Sequence, residues 1–88
     1  MEKETIKLSQ IESLDMVRDN LSKSRIERLL DENGFLKFDE LFENNTEHSD
    51  PIVIDKSASP YSIINGRHRI FIARGKGYSS VTCFVQGT

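Results

Sequence analysis

The sequence predicts an α/β (α+β) fold, a small mixed sheet with flanking helices, and three observations carry that reading. Ile52-Val53-Ile54 is a β-branched apolar run too short for a helix, and Val81 to Val85 is a strand of β-branched and aromatic residues. Ile26, Leu29 and Leu30 recur at the spacing that lines one face of a helix. Tyr61 to Ile64 runs through Asn65-Gly66 into the helix-length segment Arg67 to Arg74, which reads as strand, sharp turn and helix. With 88 residues there is room for a single domain, 1–88, around one small core.

Taken in order, Thr5 to Leu8 alternates polar and apolar residues and predicts a short edge strand. Leu14, Val17 and Leu21 have helical spacing, and a stronger helix follows with Ile26, Leu29 and Leu30. Ser24 and Glu27 stand at the separation of a capping box, in which each side chain satisfies a backbone N–H at the helix start. Asn33-Gly34 supplies a left-handed stop. Phe38, Leu41 and Phe42 mark a second short helical segment, and Asn44 to Asp50 a polar loop. Ile52 to Ile54 and Tyr61 to Ile64 form a hairpin around the turn Asp55 to Pro60. The helix from Arg67 ends at Gly75 or Gly77, and Val81 to Val85 returns beside the hairpin as the last strand.

Twelve Lys and Arg oppose fourteen Asp and Glu, a formal net charge of −2. That is the wrong sign for coating nucleic acid by bulk electrostatics, so any contact with phosphate has to be local. The charges are unevenly spread: Arg67, Arg69, Arg74 and Lys76 crowd the C-terminal third, whereas Asp31 to Asp50 is strongly acidic. Cys83 is the only cysteine, which excludes an internal disulfide and a multi-cysteine metal site and suits a reducing, cytoplasmic setting. In its strand it reads as a small buried hydrophobe. Met1 to Lys7 lacks the apolar run of a signal peptide, and no stretch approaches the roughly 20 apolar residues that span a bilayer. No membrane partner is expected.

The chemistry concentrates at Asn65-Gly66-Arg67-His68-Arg69. Glycine lets the backbone pass directly from strand to helix. The first turn of a helix has unpaired N–H groups and a partial positive charge, which together favour an anion. Guanidinium forks match phosphate oxygens, and an imidazole donates a hydrogen bond or a proton. Cationic side chains at the positive end of a helix repel it by roughly 0.3–1 kcal/mol each, a cost that an anion would offset. Gly66, Arg67, His68 and Arg69 are therefore the candidate phosphate-binding residues.

These residues also resemble a known family. Pro51-Ile52-Val53-Ile54, a turn, Tyr61-Ser62-Ile63-Ile64-Asn65-Gly66-Arg67-His68-Arg69, then Ala73 and Gly77 before a closing strand, is similar to the ParB/sulfiredoxin-like superfamily. The resemblance implies a stand-alone ParB-like module whose Gly66 turn holds the phosphates of a nucleotide such as ATP or CTP, or of nucleic acid. Gly66, His68 and Arg69 match the sulfiredoxin turn, but Arg67 replaces its reactive cysteine, so sulfiredoxin activity is excluded. Arg67 equally replaces the acidic residue of the partition-protein turn. The first main helix would lie beside the phosphate turn, which makes Arg25 and Arg28, with Asn65, secondary ligand contacts. His68 and Asp50 are the candidate acid/base pair, and His48 with Asp50 the candidate ligands for Mg2+ or another divalent metal.

The reading is thus a phosphate-binding module that takes a nucleotide or nucleic acid, with nuclease or nucleotide-cleaving chemistry as its catalytic version. Its alternative is a phage- or plasmid-type regulatory protein that has lost the chemistry and presents its acidic middle, Asp39 to Asp50, to a basic protein partner.

Overall fold

The computed structural model describes residues 2–34 and 51–87. In chain order these form β1 (Glu2–Lys7), a 3-10 turn (Leu8–Gln10), α1 (Lys23–Arg28), β2 (Val53–Asp55), β3 (Ser62–Asn65), α2 (Arg67–Gly75) and β4 (Ser80–Gln86). The strands make one mixed sheet in the order β1-β4-β2-β3. β4 runs antiparallel to β1, from Glu2↔Val85 to Lys7↔Ser80, and parallel to β2 through Val53↔Phe84 and Ile54↔Val85. β2 and β3 form the expected antiparallel hairpin. The described chain is therefore a small mixed α/β protein with a four-stranded sheet and two helices.

The period of two in β4 decides which face is buried. Val81, Cys83 and Val85 are each no more than 3% exposed, whereas Thr82 and Phe84 between them are only partly buried. On the same core lie Ile6 and Leu8, Ile11, Ile52 and Ile54, and, from α2, Ile70, Ile72 and Ala73. Each fully buried isoleucine contributes roughly 1.5–3 kcal/mol of transfer free energy. The segment after β1 closes the outer edge of β3: Tyr61 N–H donates to Gln10 O, Glu12 N–H donates to Tyr61 O, and the Glu12 carboxylate accepts Ile63 N–H at 2.6 Å. Arg74 ties α2 to that segment, donating to the carbonyls of Leu8, Ile11 and Glu12 at 2.6–2.8 Å. Of the C-terminal basic cluster, Arg74 is thus committed to the fold.

Two expectations are overturned. Leu14, Val17 and Leu21 do not lie on a helix; Met16 to Asn20 is a single closed turn. The Asp15 carboxylate accepts Val17 N–H and Arg18 N–H, and Asn20 adopts φ +51°. Leu21 N–H then reaches back to Met16 O and Asn20 N–H to Val17 O, the hydrogen-bond pattern that ends a helix after one turn. Val17 is left 89% exposed. The capping box at Ser24 is also absent. Ser22 is the N-cap of α1, its Oγ accepting Arg25 N–H, and Ser24 falls inside the helix. The expected second helical segment around Phe38 and the polar loop Asn44 to Asp50 lie outside the described residues.

Candidate functional site

The pairing of β2 with β3 contains a bulge: Val53 faces Asn65 and Ile54 faces Ile63, so Ile64 is an extra residue in β3. The bulge turns Ile64 outward, where it is 53% exposed, and brings Asn65 round so that its side-chain amide donates to Pro51 O at 2.6 Å. Gly66 follows at φ +95°, ψ 23° as the N-cap of α2. A Cβ at Gly66 would stand 2.8 Å from Ile52 Cγ1 and 3.2 Å from Ile52 Cα, closer than side chains tolerate. Both the left-handed backbone and the close approach to Ile52 require glycine here.

The first turn of α2 distributes its three polar side chains differently. Arg67 is exposed and donates through Nη1 to Asp19 O at 2.8 Å, so the Asp15–Asn20 turn acts as its bracket. Arg69 is 3% exposed, on the helix face that also carries Ile70 and Ala73, and its Nη1 is buried. His68 is half-buried, and its Nε2 accepts the backbone N–H of Ser22 at 2.9 Å. Burial lowers the imidazole pKa, and the guanidiniums of Arg25 and Arg67 push it the same way. At neutral pH the ring is therefore uncharged, with its proton on Nδ1. Asp19 is held below the ordinary carboxylate range, first by Asp15 N–H and then by Arg18.

The Ser22 contact sets α1 beside this turn. Ser22 N–H is fixed by His68 while Ser22 Oγ caps the helix on Arg25 N–H, so one residue serves both elements. The result is a cleft of about 220 Å³ between α1, the end of β3 and the start of α2. Its described lining comprises Gly66, Arg67, His68 and Arg69 of the expected cradle, Arg25 and Asn65 of the expected secondary contacts, and the aliphatic side chains of Leu29 and Ile64. Arg28 is not among these lining residues. His48 and Asp50 lie outside the described residues, and among the described residues no three His, Cys, Asp or Glu side chains gather to hold a metal ion. Tyr61 and Tyr78 border other depressions, away from this one.

Four participants were not read from the sequence: Ser22, Asp19, Leu29 as a wall of the cleft, and Ile64 as its exposed rim. The Ile63-Ile64 doublet carried a signal, because adjacent residues of a strand point to opposite faces and one of two neighbouring isoleucines must then leave the core. Ser22 and Asp19 act through contacts made 46 and 48 residues away. No local pattern announces them.

Comparison with protein-family models, with curated proteins and with solved structures finds no match to this chain. Among the described residues no helix is long and apolar enough to cross a membrane.

Proposed function

We propose that this chain is a ParB/sulfiredoxin-like phosphate-binding module that takes a phosphate group of a nucleotide or nucleic acid in the cleft at Gly66. The observation that carries the reading is the composition of that cleft. Three arginines, a histidine and the opening residues of a nine-residue helix line it, and none of its described lining residues is a carboxylate, in a chain whose net charge is negative. The volume, about 220 Å³, is below the roughly 300–1,000 Å³ of sites that enclose a whole small molecule. It suits a phosphate and the adjoining sugar, with the rest of the ligand outside. Leu29 and Ile64 offer that sugar an apolar flank.

Arg67 is the residue through which a ligand would first be engaged, being exposed and already oriented by Asp19 O. Arg69, 3% exposed, is the most buried of the three lining arginines. Mg2+ would arrive on the ligand's own phosphates, because the described lining residues present cations and suit no divalent metal directly. Binding is what the cleft supports. In a catalytic version His68 has only Nδ1 with which to donate, since Nε2 holds Ser22 N–H.

Calorimetric titration with ATP, CTP and a short DNA duplex, with and without Mg2+, tests the reading on the wild type and on Arg67→Glu. Binding of at least one ligand by the wild type, weakened tenfold or more by the charge reversal (about 1.4 kcal/mol), is the expected result. No binding by the wild type, or equal binding by the variant, overturns it. The first of these results favours the interaction-protein alternative, which rests on the acidic stretch 39–50 outside the described residues.

A further inference from the structure

α1 has only six residues, Lys23–Arg28, too few to be stable as a helix without outside support. Its N-cap residue is held from outside by a side chain of the other helix, through Ser22 N–H donating to His68 Nε2 at 2.9 Å. That bond has a chemical condition: the acceptor nitrogen must carry a lone pair. A protonated imidazole has two N–H donors and no acceptor, so it would meet Ser22 N–H donor to donor. The charged groups that act on the ring among the described residues are Arg25 from α1 and Arg67 from its own helix, and Arg69 lines the same cleft. β3 adds Ile64 and Asn65, which carry no charge. A positive ring would thus repel the helix that carries Arg25 as well as lose its hydrogen bond.

The geometry points to His68 as a proton-operated latch on the cleft: when the ring takes up a proton, Ser22 loses its acceptor, α1 detaches from α2, and Arg25 and Leu29 withdraw from the lining. This regulation rests on the phosphate reading of the cleft, and it has a distinctive sign. A simple basic site gains positive charge as its histidine protonates and holds an anion more tightly in acid. Here acidification dismantles one wall of the site and the anion is held less tightly. The depressed pKa of His68 agrees with a ring kept neutral in the latched state.

Two readouts test this on the full chain. In the ligand-free protein, nuclear magnetic resonance between about pH 7.5 and about pH 5 follows the His68 ring and the Ser22 amide together. The Ser22 signal is expected to move with the ring's titration, and the amides of α1 to lose exchange protection over the same interval. A Ser22 amide that stays still while His68 titrates overturns the latch. The second readout is affinity for sulfate, a dianion throughout that interval, so that only the protein changes charge. Wild-type affinity is expected to fall roughly fivefold on acidification, whereas in His68→Gln, whose amide oxygen accepts the Ser22 N–H at every pH, it is expected to stay level. Tighter sulfate binding in acid, or the same fall in His68→Gln, overturns the proposal. A wild type that binds no sulfate at pH 7.5 sinks the phosphate reading and any regulation of it, while the unlatching itself is decided by the Ser22 signal.

Discussion

Ser22 N–H lies 2.9 Å from His68 Nε2, so the cap of one helix is fixed by the first turn of another that is 46 residues further along the chain. This contact places Arg25 beside Arg67 and Arg69. Ile26, Leu29 and Leu30 hold the α1 segment against the core, and this bond adds to them against the electrostatic repulsion of the basic side chains of the two helices.

Burial of the His68 ring makes stability depend on pH, with the guanidiniums of Arg25 and Arg67 acting in the same direction. The folded-state pKa of His68 is below its ordinary value of 6.5, so the unfolded chain binds its proton at the higher pH. The stabilisation is therefore fully present above about pH 6.5 and is lost as the pH falls from there through the folded value. A net hydrogen bond is worth about 1 kcal/mol, and a urea midpoint measured at pH 7.5 and again near pH 5 should fall accordingly. His68→Gln is expected to show a smaller fall over the same interval.

At Gly66 an alanine would face a left-handed backbone and the main chain of Ile52 at once. Strain of this kind costs about 1–3 kcal/mol, and the clash adds to it. Gly66→Ala is expected to lose about 2–4 kcal/mol in chemical denaturation. A loss below about 0.5 kcal/mol would mean that the turn relaxes freely and that its amides are not held in place.

Arg67 and Arg69 are two positions apart and should respond in opposite ways. Arg67 is exposed, so Arg67→Glu is expected to leave stability within about 1 kcal/mol of the wild type while weakening phosphate binding. Arg69 is 3% exposed, so Arg69→Ala removes a buried side chain from the base of α2 and is expected to cost about 2–4 kcal/mol in thermal or urea unfolding. Equal effects of the two on stability would contradict this division.

Cys83 is fully buried, and that burial pushes its thiol up to about 11. At pH 8 roughly one molecule in a thousand carries the thiolate, and even that one is shielded by the sheet. A thiol-labelling reagent is expected to react with the native chain only as fast as it unfolds, and promptly in denaturant. Rapid labelling without denaturant would show that β4 opens locally.

What could be read from the residues alone was what the residues settle among themselves. The passage from Ile64 through Gly66 into a basic helix is local: a strand pattern, a residue free to take φ +95°, then an apolar face at Ile70, Ile72 and Ala73. Val81 to Val85 announced a strand by its β-branched and aromatic residues, and the structure buries alternate ones. Where the reading failed, a different force had the last word. Leu14, Val17 and Leu21 keep helical spacing, but Asp15 satisfies the backbone N–H groups of Val17 and Arg18 and Asn20 closes the turn, so the side-chain hydrogen bond outweighs the apolar period. Ser24 with Glu27 matched a capping box, yet Ser22 became the cap because His68, remote in sequence, holds its amide. Arg74 resembled Arg67 and Arg69 as a member of a basic cluster, and only the course of residues 8–12 past its guanidinium separates it from them.

The order β1-β4-β2-β3 makes a central strand the last of the described elements. During synthesis β1 and the β2–β3 hairpin would emerge from the ribosome before the strand that lies between them, and Glu2 could not meet Val85 until β4 had followed. A product cut short ahead of Val81 would lack the strand that joins the two halves of the sheet.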